Sequence, residues 1–259
     1  MLPFLNIFGL EVPMYGVMFI SAIIVSILLA ILRSKKYNIP KQEILFLSLY
    51  AVIGGLIGAK LLYIIVTIPS ILEHIHNTNA DTLQVVLFLF QGGFVFYGGL
   101  IGGFLAALIY MKQYKLPFES IADIATPTLP VAHAIGRIGC FFAGCCYGLP
   151  VSWGVEFNAS LSAPHDIALM PTQLIESSIN IIFALVLYVL GRYEKFRGKL
   201  LYFYIIFYSI TRFILEFFRY DAERGVFGFL STSQYISIIL LAIAIFFLVK
   251  KSKVITERT

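Results

Sequence analysis

Seven long apolar runs, at about 14–33, 44–67, 84–111, 118–136, 172–190, 200–219 and 233–250, dominate this 259-residue chain. A bilayer core is about 30 Å thick, so roughly 20 helical residues cross it. Inside hydrocarbon every peptide group must find its partner within the protein, which leaves helices and closed barrels. Barrel strands alternate lipid-facing and lumen-facing residues over about 10 positions. These runs are longer and continuous, so the expected fold is an all-α integral membrane protein with about seven transmembrane helices. Composition agrees: 13% of residues are charged and 59% apolar, with 24 Phe and 15 Tyr. Soluble domains carry about a quarter charged residues.

The net charge of +5 reflects topology rather than a nucleic-acid groove. Fourteen of the nineteen Lys and Arg fall in segments 33–41, 112–115, 191–199 and 250–258. Segments 1–32 and 68–83 contain none. Basic loops stay on the cytoplasmic side, and they contact anionic lipid there. The alternation predicts an outside N-terminus, a cytoplasmic C-terminus and an odd number of spans. Residues 1–13 lack the basic start and small-residue cleavage site of a signal peptide, so the first span is expected to insert as it stands. The chain reads as a single polytopic domain, 1–259, with a non-cytoplasmic segment around 140–171.

The third run holds Gln91, Gly92, Gly93, Tyr97, Gly98, Gly99, Gly102 and Gly103. Glycine weakens a helix. Two readings stay open: a short re-entrant piece at 84–90, or a helix packed closely through small residues. Either places this run inside the bundle, beside a cavity.

Charges remain within or at the outer ends of spans: Asp123, Arg137, Arg212, Glu216 and Arg219. Each costs about 2.5–3.5 kcal/mol to insert and marks a cavity or a pair. Spacings of four and three put Arg212, Glu216 and Arg219 on one helix face. Arg137 sits between Gly136 and Gly139. Converging guanidinium forks bind phosphate oxygens in pairs. The plainer alternative is that these arginines pair with Glu216 and Asp123 to fix helix packing, while Arg219 snorkels to the interface. Lys60 reads as a cation that snorkels or pairs with an acidic residue and is assigned no site, His133 as a packing residue, and His74 and His76 as solvated loop residues. Cys140, Cys145 and Cys146 form an odd set, so no closed disulfide framework is expected. They read as small packing hydrophobes. No metal site is expected, since zinc would need a fourth ligand such as His133 or His165.

Several segments taken together resemble one family. They are Tyr15-Gly16; Phe96-Tyr97-Gly98-Gly99-Leu100-Ile101-Gly102; Asp123 to Pro127; and Gly136-Arg137-Ile138-Gly139-Cys140-Phe141, with Gly144 and Gly148. Pro171-Thr172-Gln173-Leu174 with Glu176, Arg212 to Arg219, and Ser233-Gln234 complete the series. In this order, over nearly the whole chain, they resemble bacterial prolipoprotein diacylglyceryl transferase. The resemblance implies a transferase that moves diacylglycerol from phosphatidylglycerol to the thiol of a lipobox cysteine, releasing glycerol-1-phosphate. It implies a multi-pass protein of the cytoplasmic membrane with its active site toward the outer leaflet. The implied partners are phosphatidylglycerol, the prolipoprotein signal-peptide region and the bilayer, with no cofactor and no nucleic acid. The catalytic set becomes Tyr97, Arg137, Arg212 and Glu216. The substrate-binding set becomes Tyr15, Gly98, Gly99, Asp123, Cys140, Gly148, Gln173 and Arg219.

This chain departs from the family pattern at four places. Tyr97 stands where His is usual, Cys140 where Asn is usual, Cys145 where Glu is usual, and Met170 where His is usual. A phenol is a poor base. Two alternatives to the family reaction follow: a paralogue with the same phospholipid site and another acceptor, or a lipid-binding or transport protein without covalent chemistry.

Overall fold

A computed structural model of the chain describes residues 3–7, 9–78, 84, 93–160, 162–220 and 226–256. The chain is mostly helical and divides into two compact units, residues 34–118 and residues 1–33 with 119–259. Five helices among the described residues are long and apolar enough to cross a membrane.

The 34–118 unit is a pair of helices, α2 (Lys41–Thr78) and α3 (Phe96–Gln113). α2 runs through Pro69, past the expected end of its span near residue 67. Proline removes one ladder hydrogen bond, and the long apolar helix continues beyond it. The re-entrant piece expected at 84–90 lies, apart from Gln84, outside the described residues, as do the side chains of 71–83. Within the described part of the glycine-rich run, Gly98, Gly99, Gly102 and Gly103 pack closely against α2. A Cβ built on Gly58 would stand 2.8 Å from Gly102 Cα, and one on Gly102 would stand 2.9 Å from Gly58 Cα. Real side chains do not fit there, so the two backbones touch, as small-residue helix pairs in membranes do. The Tyr110 hydroxyl donates to Glu43 Oε2 at 2.9 Å. Lys60 lies over the rings of Tyr63 and Phe94, at 5.1 and 5.2 Å. Its charge therefore meets aromatic faces.

The other unit holds α1 (Met14–Ser34), α4 (Phe118–Ala125), α5 (Thr128–Ala143), α6 (Thr172–Leu190), α7 (Leu200–Leu215) and α8 (Thr232–Thr256). The span expected at 118–136 is instead two helices meeting at Thr126–Pro127, and the second runs on to Ala143. Pro127 cannot continue the first helix but suits the start of the second. Among the described residues three small antiparallel hairpins also form, unforeseen by an all-helical reading. They are β1 (Phe4–Ile7) with β2 (Leu10–Pro13), β3 (Pro150–Glu156) with β4 (Ala168–Leu169), and β5 (Val226–Phe227) with β6 (Leu230–Ser231). Strands β4, β5 and β6 have two residues each, too few to show alternation, and β3 does not alternate in burial. Residues 221–225, with Asp221, Glu223 and Arg224, lie outside the described residues.

Helix α6 shows how this unit is built. Gln173, Glu176, Ser177 and Asn180 are buried, while Ile181, Ile182, Leu185 and Val186 are exposed. A water-soluble helix does the reverse. Here apolar side chains face outward, and polar ones turn inward where partners can satisfy them.

Candidate active site

α1 carries the frame of the unit from end to end. It runs from Met14 to Ser34, with Tyr15 and Arg33 near its two ends, and 21 residues of helix span about 30 Å. At the Arg33 end, Arg33 Nη2 donates to the Asp123 carbonyl at 3.1 Å. The Asp123 carboxylate accepts the Gly198 N–H. Lys251 pairs with Glu119 at 2.6 Å. These partners belong to the basic segments 191–199 and 250–258. Asp123 was expected in the substrate-binding set, but the structure places it here, away from Arg137. It ties α4 to the 197–200 turn, because a buried carboxylate is held by whatever backbone N–H it can reach.

The Tyr15 end holds the other charges. His133, Arg137 and Cys140 share one face of α5 by their spacing. Glu176 of α6 reaches two of them: Oε1 lies 3.2 Å from His133 Nε2, and Oε2 lies 3.0 Å from Arg137 Nε. Arg137 Nε also lies 3.3 Å from His133 Nε2. Arg137 therefore pairs with Glu176 rather than Asp123. The Arg137 and Glu176 side chains are 14% and 7% exposed, which keeps the pair largely out of solvent. The Ser177 hydroxyl donates to the Ala134 carbonyl at 3.0 Å and locks α6 against α5.

Arg212 Nη2 contacts Glu216 Oε2 at 2.7 Å and donates to Ser233 Oγ at 3.1 Å. Glu216 sits on a short 3-10 turn, Glu216–Phe218, that ends α7. Ser231 and Gln234 fix the start of α8 reciprocally. Gln234 N donates to Ser231 Oγ at 3.3 Å, and Ser231 N donates to Gln234 Oε1 at 2.9 Å. This is a capping box, and it sets Ser233 beside Arg212. Arg212 lies within electrostatic reach of Glu176. Cys146 lies within reach of both Arg137 and Arg219. Three guanidinium groups, Arg137, Arg212 and Arg219, therefore gather with two carboxylates, Glu176 and Glu216. Arg212 Nη1 is buried with no acceptor among the described residues. A buried donor without a partner costs about 1–3 kcal/mol, and more when charged. An anionic oxygen would relieve that cost.

Gly148 and Gln173 shape the segment that closes this end. Gly148 N donates to the Met170 carbonyl and Leu149 N to the Phe218 carbonyl, both at 2.9 Å. Gly148 also bridges Arg219 in antiparallel register. A Cβ at Gly148 would lie 2.6 Å from Thr172 Cγ2 and 2.7 Å from the Phe218 carbonyl oxygen. Only glycine lets the three backbone segments meet. Gln173 Nε2 donates to the Cys145 carbonyl at 2.6 Å. A Cβ at Gly139 would meet Met18 and Tyr15 of α1, at 3.0 and 3.4 Å, so Tyr15 stands against α5 one turn from the site.

Of the expected set, Tyr15, Arg137, Cys140, Gly148, Gln173, Arg212, Glu216 and Arg219 lie at this end. Gly98 and Gly99 belong to the other unit. Gly98 packs against Gly58 and Leu62, and Gly99 packs against Ala59 and Gly55. Helix packing accounts for both. Tyr97 is 57% exposed at the start of α3, edge-on to Phe96. Glu176 and His133 are the residues that sequence reasoning undervalued. The available signal was an ionisable Glu four positions into a span, and a His one turn before Arg137.

A model of the family described as prolipoprotein diacylglyceryl transferase matches residues 3–250. The chain is 38% identical over 243 residues to the phosphatidylglycerol–prolipoprotein diacylglyceryl transferase of Clostridium tetani, covering 93% of this chain and 94% of that one. It is 38% identical over 238 residues to phosphatidylglycerol–prolipoprotein diacylglyceryl transferase 2 of Clostridium perfringens, covering 91% and 90%. A Listeria monocytogenes enzyme of the same name is 30% identical over 250 residues, covering 93% and 86%. With a match of that extent, the chain belongs to the prolipoprotein diacylglyceryl transferase family.

Proposed function

We propose that this chain moves the diacylglyceryl group of phosphatidylglycerol to a cysteine thiol of a prolipoprotein. Its membership of the family and the names of its relatives support the reaction. The observation that carries the site is the half-buried arginine cluster, in which the buried Nη1 of Arg212 has no acceptor among the described residues. Arg137 and Arg212 hold the lipid phosphate, each oriented by its own carboxylate, Glu176 and Glu216. The acceptor sulfur attacks the glyceryl carbon. The carbon–oxygen bond to phosphate breaks, and its electron pair leaves on glycerol-1-phosphate. Fixed guanidinium groups stabilise the charge that builds on that oxygen. The thiol proton goes to a base, and His133, oriented by Glu176, is the group at this end suited to take it. Tyr97 is assigned to phosphate orientation by its motif position.

The same reading makes the chain one polytopic domain with seven spans. Its N-terminus lies outside, its C-terminus in the cytoplasm, and its site faces the outer leaflet of the cytoplasmic membrane. The segregation of charge along α1 supports that orientation. Arg33 and the basic segments lie at one end, and Tyr15 and the arginine cluster at the other.

The test uses purified protein with phosphatidylglycerol and a lipobox peptide. Thioether-linked diacylglyceryl peptide and glycerol phosphate should appear in equal amounts. Glycerol phosphate released only with a different acceptor would replace this function with that of a paralogue. Saturable lipid binding without release would make the chain a binder or transporter.

A further inference from the structure

Three side chains at the site end take no part in the proposed transfer as a group: the thiols of Cys140, Cys145 and Cys146. All three are free cysteines of intermediate exposure. Their sulfur atoms lie within 4.8 Å of one another. They are not the packing core of their segment, which is Tyr147, Phe157, Ala163 and Leu169.

The backbone beneath the sulfurs is fixed. Helix α5 ends on Gly144 in the left-handed region, at φ 71°. Cys146 follows at φ 62°, a conformation uncommon for a non-glycine residue. Cys145 N donates to the Cys140 carbonyl at 3.1 Å. Gln173 Nε2 and Thr172 Oγ1 donate to the Cys145 and Cys146 carbonyls, at 2.6 and 2.7 Å. Donors held near one another lower the ordering cost of binding a metal.

We propose that Cys140, Cys145 and Cys146 form a three-thiolate site for one soft monovalent cation of the copper(I) class. Metal–sulfur bonds of about 2.3 Å set neighbouring sulfurs about 4 Å apart, so the triangle needs only a small contraction. Coordination number separates the candidates. Structural zinc takes four ligands. The two histidines named as a fourth are engaged elsewhere: His133 with Glu176 at 3.2 Å, and His165 Nε2 with the Ser160 carbonyl at 2.9 Å. Three soft thiolates, with no fourth His, Cys, Asp or Glu ligand grouped with them among the described residues, favour copper(I). Charge agrees as well. Three thiolates and one monovalent cation carry two negative charges, and Arg137 and Arg219 both lie within electrostatic reach of Cys146. On binding, three S–H bonds break, three sulfur–metal bonds form and the protons pass to solvent. No oxidation state changes.

The proposal stands apart from the transfer reaction, because binding alone tests it. Purified protein in detergent, kept reduced and anaerobic, is titrated with copper(I) against a chromogenic copper(I) chelator. One copper per chain should bind, with three sulfur neighbours by X-ray absorption. Cys145→Ser should weaken binding at least 100-fold, and zinc(II) should bind at least 100-fold more weakly than copper(I). Copper uptake unchanged by Cys145→Ser would overturn the site. So would a sulfur count below three in the wild-type protein, a reading that depends on no variant.

Discussion

The helix pairs α2–α3 and α5–α6 are held together by opposite means. α2 and α3 meet through Gly58 and Gly102, backbone on backbone. α5 and α6 meet through Ser177, Glu176, His133 and Arg137, side chain on side chain. Lipid supplies no hydrophobic drive between helices, so association rests on close van der Waals contact or on interhelical polar bonds. Glycine contact gives adhesion without chemistry. Polar contact gives adhesion and also fixes ionisable groups in a dry place, where a transition-state charge is best stabilised.

Gly102→Leu tests the first pair and should have the largest effect. Its side chain would be driven into the backbone of α2, costing about 3 kcal/mol or more. Thermal unfolding in detergent should fall sharply, whereas Gly136→Ala, with open space around its Cβ position, should not move it. Arg137→Lys tests the second pair. An ammonium cannot reproduce the fork that serves Glu176 and phosphate together. Turnover should drop about 10²–10³-fold, with unfolding nearly unchanged. A lysine variant with full turnover would reduce Arg137 to a packing residue. Gly148→Ala should cost about 1–3 kcal/mol, through the clash with Thr172 and the Phe218 carbonyl. Limited proteolysis near residue 148 would report the loosening. His133→Gln and Glu176→Gln should be non-additive in turnover, by about 0.5–3 kcal/mol in a double-mutant cycle. Additive losses would show that the two act independently. Tyr97→Phe should have the smallest effect, a loss under about tenfold, the scale of one hydrogen bond. No change would leave Tyr97 with no part in orienting phosphate.

Much of the candidate site was legible because lipid penalises unpaired charge. Arg137, Arg212, Glu216 and Arg219 stood out as ionisable residues in apolar runs, and all four lie at one end of the same unit. Asp123 carried the same signal and went elsewhere. Sequence shows that a buried charge needs a partner, but not which one. Its partners are the Gly198 N–H and, through its carbonyl, Arg33, at sequence separations of 75 and 90. Glu176 was hidden for the complementary reason. Its partners are about 40 residues away on α5, and no local spacing connects them. The glycine run admitted two readings; Gly98 and Gly102 pack against α2, while residues 85–90 of the other reading lie outside the described residues.

The sequence by itself determined a helical membrane protein and the family to which it belongs. Continuous apolar runs, basic segments and the order of motifs are one-dimensional properties, and the penalty for unpaired backbone in lipid converts them directly into helices. The structure decided the pairings: Arg137 with Glu176, Arg212 with Glu216 and Ser233, Asp123 with Gly198, and three cysteine sulfurs with one another. Those depend on which helix faces meet and on how Gly144 and Gly148 turn the chain between them. Such contacts join residues far apart in sequence, and packing alone selects them.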